Sequence, residues 1–491
     1  MHSFKERRII FKITVYDSLI CRSMVIGIDA RFYGPIGGGG IGRYTKELID
    51  NLEQIDDKNQ FVIFLRRENW DDYNPTKSNF RKVLAPYKWY SWREQIFMPF
   101  KIWREKVDLM HFLHFNIPLV YVYGINLFSE LSKLGWIRII FTRKSAEWNK
   151  ARVNLRKEVF VLTVHDLILL KYPSKKATTL APIYFKLKFW AYKIVISAAF
   201  RSALKIIVPS QYVKNDIIKY FNVPYSKIEV IYEGLVDVNK INSFRENRFI
   251  QDGVKNYEIG IKKVVSSNDI SRHFKETFSF AQGRFRDEES LNFLVKSRDP
   301  YILYVGNAYP HKNLERLIDA FAMILKNEGE RENKLGNLKI RNLKLALVGV
   351  RNYFYERLEK YAEHNFYGIK DRIIFFGYAT DKELAKLYKN ATLYTFPSLE
   401  EGFGLPPLEA MSYGTPVVSS KSSCLPEILG DAVLYFEAEN TKDMAEKILR
   451  GIEDEKLRDE LIKEGYENIK KYDWQENAIR TKEIYGKTES L

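Results

Sequence analysis

Residues 397–411 read PSLEEGFGLPPLEAM, and this stretch gives the clearest indication of the fold class. It follows an apolar segment, Leu393–Phe396, that is typical of a buried strand. Pro406 and Pro407 suit the first turn of a helix, where a missing backbone N–H costs little. A strand, a short loop and a helix form the repeating unit of parallel α/β sheets. The stretch therefore predicts an α/β domain with a glycine-containing loop at the carboxyl end of a strand.

Two regions of the chain repeat this order of strand and helix. In the first, we predict strands at Val25–Asp29, Phe61–Leu65, Asp108–Phe112, Phe160–Val164 and Ile206–Val208, and helices that include Arg43–Leu52 and Gln211–Phe221. In the second, we predict strands at Tyr301–Val305, Lys344–Val348, Ile373–Phe376, Leu393–Phe396 and Pro416–Ser419, and helices that include Asn313–Leu325 and Asp381–Lys389. Each region has the size of one doubly wound domain, so we expect two Rossmann-like domains that face a cleft.

The length of 491 residues fits this division, since a soluble domain takes roughly 100–200 residues. We predict an N-terminal extension at 1–23, a first domain at 24–237 with an irregular insertion at 121–157, a polar linker or insertion at 238–298, a second domain at 299–471 and a C-terminal segment at 472–491.

The composition limits the partners and the compartment. The net charge is +16, which favours anionic partners: phosphorylated substrates, anionic lipid or nucleic acid, the last on charge alone. The two cysteines, Cys21 and Cys424, are too few for a disulfide framework, which is consistent with a reducing compartment. The N-terminus is a poor signal peptide, and no segment has the ~20 continuous apolar residues of a spanning helix. We expect a cytoplasmic protein, either soluble or peripheral on the inner face of the membrane.

The basic surplus has two interpretations. It can be an ordinary bias of composition, or it can attract the protein to anionic lipids. Residues 182–201 read PIYFKLKFWAYKIVISAAFR and alternate aromatics with lysines, as an interfacial helix does. A buried helix with lysine stems has a similar sequence.

Ligands of open parallel sheets bind beyond the carboxyl ends of the strands, and four loops there carry candidate residues. The first is the glycine loop, residues 34–44, GPIGGGGIGRY. Its glycines let the backbone approach a ligand, and the following helix offers N–H groups to an anion. The alternative is a flexible turn. The loop does not match GxGxxG well, so no NAD site is implied.

The second and third loops carry one candidate each. His165 and Asp166 follow a strand directly, where a histidine can bind a sugar hydroxyl; a core histidine and a helix-capping aspartate are the alternatives. Residues 306–313, GNAYPHKN, place Lys312 at a predicted helix start. A lysine there can neutralise a diphosphate leaving group without a metal, although a solvated surface lysine is the alternative.

The fourth loop belongs to the stretch 397–411. Glu401 lies on the loop, Glu409 lies on the first turns of the helix, and Gly402 and Gly404 leave backbone amides bare. This arrangement offers a carboxylate to sugar hydroxyls, amides to phosphate and a second carboxylate to a ribose diol. A favourable interaction with the helix dipole would be enough to explain Glu409 by itself. It does not explain why two glutamates, two glycines and two prolines occur in this order.

These motifs together resemble family 4 of the retaining glycosyltransferases with the GT-B fold. That family carries two glutamates separated by seven residues, as in EGFGLPPLEAM at 401–411. VGNAYPHKNL at 305–314 is similar to bacterial mannosyltransferase-like members, and the glycine loop, the His-Asp pair and the run from Val208 to Gly234 also match. The resemblance covers nearly all of 24–490.

The resemblance implies a role for each matched position. Glu401, His165 and Lys312 would be catalytic: Glu401 and His165 would contact the donor sugar, and Lys312 would hold the diphosphate. The donor site would comprise Gly306, Asn307, Lys312, Phe403, Gly404, Leu405 and Glu409, with Glu409 on the ribose. Gly39, Gly40 and Gly42 would line the cleft near the phosphates or the acceptor.

The resemblance also implies the substrates and the domain arrangement. The donor would be a GDP- or UDP-sugar with mannose favoured, the acceptor a glycan or a lipid-linked oligosaccharide, and no metal, cofactor or nucleic acid would take part. The last helix would cross back to the first domain, with Asp473 as N-cap and Trp474, Ile479 and Ile484 as an apolar stripe. Hinges would lie near Val236–Lys240 and Lys471–Trp474.

Two positions depart from the family pattern. Many members carry an arginine where this chain has Asn307 and another where it has His311, so less positive charge meets the diphosphate and Lys312 gains importance. A front-face substitution, in which the leaving phosphate helps to deprotonate the acceptor, is the mechanism we favour. The alternatives are an epimerase or a phosphorylase on the same scaffold, for which neither acid/base carboxylates nor a pyridoxal-phosphate lysine stands out, and a non-catalytic binding protein.

Overall fold

A computed structural model of the chain describes residues 23–34, 39–89, 91–122, 159–172, 182–235, 299–331 and 338–488. The predicted extension apart from Ser23, the predicted insertion beyond residue 122, the predicted linker at 238–298 and the predicted hinge at Val236–Lys240 lie outside the described residues.

The first domain is built on a parallel sheet of seven strands in the order β3-β2-β1-β4-β5-β6-β7. The strands are β1 (Val25–Asp29), β2 (Gln60–Leu65), β3 (Phe80–Leu84), β4 (Leu109–Phe112), β5 (Phe160–Thr163), β6 (Lys205–Val208) and β7 (Ile228–Val230). The helices are α1 (Gly39–Ile55), α2 (Trp92–Arg104), α3 (Ile168–Lys171), α4 (Pro182–Ser202) and α5 (Gln211–Phe221), with a 3-10 turn at Tyr225–Lys227.

The second domain is built on a parallel sheet of six strands in the order β10-β9-β8-β11-β12-β13. The strands are β8 (Tyr301–Val305), β9 (Lys344–Val348), β10 (Ile373–Gly377), β11 (Leu393–Phe396), β12 (Val417–Ser420) and β13 (Leu434–Phe436). The helices are α6 (Leu314–Arg331), α7 (Leu338–Arg341), α8 (Tyr353–Asn365), α9 (Asp381–Asn390), α10 (Leu405–Ser412), α11 (Leu425–Leu429), α12 (Thr441–Glu453) and α13 (Glu455–Ile469), with 3-10 turns at Pro310–Lys312 and Tyr367–Arg372.

This architecture confirms the predicted pair of Rossmann-like parallel sheets. Each predicted strand exists, with ends that shift by one residue at most. Three strands were not predicted: β3 and β7, which end the first sheet, and β13, which ends the second. Edge strands have one hydrogen-bonded neighbour and a partly solvated face, so they lack the continuous apolar run that marks a central parallel strand.

The first sheet separates two cores. Alternate strand residues such as Phe64 and Phe112 face the core that α2, α4 and α5 cover. The intervening residues, such as Ile28 and Ile63, face the core that α1 covers. This alternation follows from the two-residue period of a strand. No described helix is long and apolar enough to cross a membrane.

The last helix, α14 (Trp474–Thr488), closes the second of these cores from the end of the chain. Trp474 is buried in that core, and the hydroxyl of Tyr485, also buried, lies 2.6 Å from Nδ1 of His111 on β4. Burial lowers the pKa of His111 to about 3, so the imidazole stays neutral. The predicted return of the last helix to the first domain is therefore confirmed.

One part of the predicted helix stripe is wrong. Asp473 does cap the helix, because its carboxylate accepts from the backbone N–H of Glu476 at 2.8 Å. Ile479, however, is 38% exposed. It lies five residues after Trp474, about 140° around the helix, whereas Ala478 and Tyr485 share the buried side with Trp474.

We predict that Trp474→Ala destabilises the first domain, because the indole fills a junction between α14, α1 and the sheet. The expected loss is about 3–5 kcal/mol of unfolding free energy, measured by urea denaturation. Ile479→Ala is the matched control in the same helix and should lose far less. Equal losses in the two variants would contradict this account of the helix.

Candidate active site

The loop between β11 and α10 touches the first domain through Gly402. A Cβ built on Gly402 would lie 1.8 Å from the carbonyl oxygen of His165, so a larger residue does not fit there. The hydroxyl of Ser210, at the start of α5, donates to the carbonyl of Gly402 at 2.7 Å. The carboxyl ends of β5 and β11 are thus held against each other, and the residues that follow them share one site.

Glu401 and Lys312 contact each other within the second domain. Lys312 Nζ lies 2.6 Å from Glu401 Oε1, and both side chains are largely buried. Lys312 ends a 3-10 turn rather than starting a helix, since α6 begins at Leu314 after Asn313 in the left-handed conformation. A hydrogen bond from the amide of Leu399 to the carbonyl of His311, 2.8 Å, joins the two loops.

Glu409 lies at the interface with the first domain, where it pairs with a residue that sequence reasoning did not select. Its Oε1 accepts from Nη1 of Arg43, which is on the first turns of α1. Its Oε2 accepts from the hydroxyl of Tyr388 at 3.1 Å. The carboxylate raises the pKa of Arg43 further above its usual value, so the guanidinium is a permanent charge in the cleft. An arginine directly after the glycine run was the sequence signal that could have found it.

His165 is hydrogen-bonded through both ring nitrogens. Nδ1 lies 3.3 Å from Oε1 of Glu233, and Nε2 lies 3.1 Å from the carbonyl oxygen of Leu113. Both ring nitrogens of His165 thus lie beside an oxygen atom that accepts hydrogen bonds. The ring of Tyr44 packs edge-on at 4.6 Å between centroids. A sugar hydroxyl that bound His165 would therefore exchange with one of these bonds.

Asp166, next to His165, has the capping role that was its alternative. Its Oδ1 accepts from the amide of Ile168 at the start of α3, at 3.0 Å. Burial raises the pKa of the Asp166 carboxyl. His114, which follows β4 nearby, is neutral because burial lowers its pKa to about 3. His165 is thus the histidine in this group whose ring contacts a carboxylate, that of Glu233.

The three candidate glycines of the glycine loop have different surroundings. A Cβ on Gly39 or Gly40 would meet no atom of the described residues within 4 Å. A Cβ on Gly42 would lie 2.2 Å from the carbonyl oxygen of Gly34. Gly42 is therefore required for packing between α1 and the loop after β1, while Gly39 and Gly40 leave room for a ligand.

The loop after β8 contributes backbone more than side chains. Gly306 accepts from the hydroxyl of Tyr355 at 2.8 Å, and the amide oxygen of Asn307 accepts from the backbone of Tyr309 at 3.3 Å. The neighbouring loop begins α10 at Gly404, whose φ of 99° is left-handed and favours glycine. Phe403 is buried beside it, and Leu405 is the first helical residue.

Two carboxylates of the second domain accept hydrogen bonds from the first domain close to Glu401. Glu400 accepts from Lys171 at 2.9 Å and from the hydroxyl of Tyr212 at 3.0 Å. Glu427 accepts from the backbone N–H groups of Gln211 and Tyr212 at 2.7 and 3.0 Å, which caps α5 from the other domain. Sequence reasoning missed these residues because their partners lie in the other domain.

Two parallel-sheet domains that meet at the carboxyl ends of their central strands define the class of the fold, and comparison with known families agrees with it. The model of "Glycosyltransferase Family 4" matches residues 38–238, and the model of "Glycosyl transferases group 1" matches residues 285–468. Together the two matches cover every described strand except β1. The chain therefore belongs to the group 1, or family 4, glycosyltransferases of the GT-B fold.

Individual proteins of known structure or function share only a minority of their residues with this chain. O-antigen chain mannosyltransferase B of Escherichia coli is 32% identical over 186 residues, which is 38% of this chain and 45% of that protein. The aligned part thus spans less than half the length of this relative. The structure of sucrose-phosphate synthase from Thermosynechococcus elongatus has a TM-score of 0.60 at 17% identity and covers 96% of this chain and 100% of that one. Anabaena HepE, solved in complex with UDP and glucose, has a TM-score of 0.57 at 16% identity over 94% of this chain and 99% of its own. These structures are similar in fold.

Proposed function

We propose that the protein is a retaining hexosyltransferase that moves a sugar, with mannose favoured, from a GDP- or UDP-sugar to a glycan or lipid-linked acceptor without a metal. The observation that carries the proposal is the contact of Lys312 with Glu401 at the point where the two domains meet. Mannose is favoured because the similar Escherichia coli protein is an O-antigen chain mannosyltransferase. HepE, which was solved with UDP and glucose, supports a nucleotide-linked donor.

The contact between Lys312 and Glu401 matches the two halves of a nucleotide-sugar. The ammonium suits the diphosphate, and the carboxylate suits the hydroxyls of the sugar attached to it. Because the two groups are 2.6 Å apart, each neutralises the charge of the other. A donor would separate them and give each a partner of its own.

Glu409 retains capacity for a ribose. A carboxylate has about four lone-pair sites, and Arg43 and Tyr388 occupy two of them. A ribose diol can therefore bind without displacing either residue. Arg43 would then add a positive charge from the first domain beside the nucleotide, where Asn307 and His311 supply none.

The leaving group determines the mechanism that we favour. Lys312 and the amides near Phe403 and Gly404 would stabilise the diphosphate as its bond to the sugar breaks. The departing phosphate oxygen would take the acceptor proton on the same face, so the configuration is retained. His165, held in place by its contact with Glu233, would contact the sugar from the side of the first domain.

An epimerase and a sugar-binding protein are the alternatives on the same scaffold. An epimerase would interconvert sugar nucleotides without an acceptor and without releasing nucleotide. A binding protein would bind donor and do neither. Assays of nucleotide release with GDP-mannose and a panel of UDP-sugars, followed by linkage analysis of the product, distinguish the three.

We predict that Lys312→Ala and Glu401→Gln each reduce turnover by about 10²–10³-fold, because each removes an electrostatic contact to the reacting part of the donor. The exposed pair Lys442 and Glu446, 3.9 Å apart in the same domain, provides matched controls. Lys442→Ala and Glu446→Gln should retain full nucleotide release. A folded Lys312 or Glu401 variant with normal turnover would refute the assignment.

We predict that Arg43→Gln weakens nucleotide binding roughly ten- to a hundredfold, as expected for the loss of a hydrogen bond to a charged group. The effect should appear in the dissociation constant of GDP or UDP and in the KM for the donor more than in kcat. Lys46→Gln, one turn along α1 and paired with Asp50, is the control. If Arg43→Gln binds nucleotide as tightly as the wild type, Arg43 has no part in the donor site.

We predict that turnover survives treatment with EDTA, because Lys312 and loop amides take the place of a divalent cation at the diphosphate. The measurement is nucleotide release before and after chelation and dialysis. Loss of activity that Mg²⁺ or Mn²⁺ restores would contradict a metal-independent reaction.

A further inference from the structure

Helix α4 exposes a row of large apolar side chains. Leu187 and Trp190 are each 65% exposed, and Ile194 is also exposed. Their spacing of three and four residues places them on one side of the helix, opposite Tyr192 and Ile196, which are buried in the core. A helix that is apolar on both sides has a partner for each side, and the sheet is the partner of only one.

Helix α2 exposes two further large aromatic side chains, whose ring centroids lie 6.2 Å apart. Trp92 is 62% exposed and Phe97 is 43% exposed. Both helices cover the same face of the first sheet, since Met98 of α2 and Ile196 of α4 belong to one core. Single exposed apolar residues are ordinary, but several large ones on one side of a domain mark a contact surface. We name this the α2/α4 surface and define it by Trp92, Phe97, Leu187, Trp190 and Ile194.

The charges around this surface are positive. Lys186 and Lys193 flank the apolar row of α4 on one side, and Lys188 flanks it on the other. No acidic residue occurs in the sequence of α4. The acidic residue of α2, Glu94, is buried and paired with Arg31, so it does not reach the surface.

The charge pattern favours one occupant over another. Two copies of this chain that met through the α2/α4 surface would bring lysines against lysines, which opposes association. A bilayer with anionic headgroups offers the complementary charge, and its acyl boundary accepts the tryptophans and leucine. Tryptophan is suited to this boundary because its ring is apolar and its N–H is polar.

We propose that the α2/α4 surface binds the face of a membrane rich in anionic phospholipid. Trp92, Leu187 and Trp190 enter the boundary between headgroups and acyl chains, and the flanking lysines contact lipid phosphates. The binding itself is independent of the chemistry at the cleft. Its use rests on the proposed function, because the surface belongs to the domain on the acceptor side and would bring a lipid-linked acceptor to the enzyme.

The test is co-sedimentation of the full chain with vesicles of phosphatidylcholine alone and of phosphatidylcholine with phosphatidylglycerol, at low and high salt. We expect binding to the anionic vesicles that high salt weakens. The double variant Leu187→Gln and Trp190→Gln should bind the anionic vesicles at least roughly tenfold more weakly than the wild type. It loses apolar area at the boundary between headgroups and acyl chains. Lys186→Gln with Lys193→Gln should bind more weakly and lose much of the salt dependence.

Tyr353→Gln with Tyr367→Gln is the matched control, because both tyrosines are exposed on the second domain. It should bind vesicles as the wild type does, and thermal melting should show that all variants fold. Equal binding of the wild type to both kinds of vesicle, no binding to either, or an equal loss in the tyrosine control would overturn the proposal. A dimer in light scattering that the Leu187 and Trp190 variant dissociates, without vesicle binding, would assign the surface to a second copy instead.

Nucleotide release with a water-soluble acceptor separates this proposal from the proposed function. The Leu187 and Trp190 variant should keep wild-type turnover in that assay while losing vesicle binding. If no sugar-nucleotide is turned over but vesicle binding follows the pattern above, the proposed function fails and the membrane surface stands.

Discussion

The approach of Gly402 to the backbone of His165 is the constraint on which the site depends. The position leaves no space for a side chain, so the two loops meet at the distance of two backbones. Each loop follows a central strand of its sheet, and each strand is fixed by parallel neighbours on both sides. Rigid scaffolds thereby set the separation of Glu401 and His165, although the two residues belong to different domains. Ser210, Glu400 and Glu427 add hydrogen bonds around the same contact.

Charged groups in this interface are paired with each other. Lys312 neutralises Glu401, and Arg43 neutralises Glu409. Removing one member of a buried pair leaves an uncompensated charge, which costs more than the pair contributes. An ionic ligand with both a negative diphosphate and hydrogen-bonding hydroxyls can replace such pairs without leaving either member alone.

The sequence was sufficient for the parts of the fold that depend on local pattern. Central strands such as β8 and β11 are continuous apolar runs bounded by glycine or proline, and their carboxyl ends identified the loops of Lys312 and Glu401. The edge strands β3, β7 and β13 were missed because solvent on one side weakens the apolar pattern. Ile479 was assigned to the buried stripe because spacing alone does not fix which side of a helix faces a core; the burial of Ala478 and Tyr485 does.

The site residues that were missed share one physical reason. Arg43 and Glu427 pair across the domain interface, and Glu233 pairs with His165, 68 residues away in the first domain. Local periodicity carries no information on such long-range pairings. Asp166 shows the converse, because a helix cap is a local feature and was already an alternative from the sequence. The roles proposed for Glu401, Lys312 and His165 remain predictions, while their proximity is a property of the fold.

The position of the last helix determines which surface of the first domain is free. Helix α14 packs beside α1 and places Trp474 and Tyr485 in the core on that side of the sheet. The opposite side, covered by α2, α4 and α5, is not used by this crossing and carries the exposed tryptophans. The loops after β5 and β11, which carry His165 and Glu401, lie at the carboxyl edge of the sheets between these two sides. The crossing helix and the exposed tryptophans therefore occupy opposite sides of the domain, and the candidate residues lie at the edge that separates them.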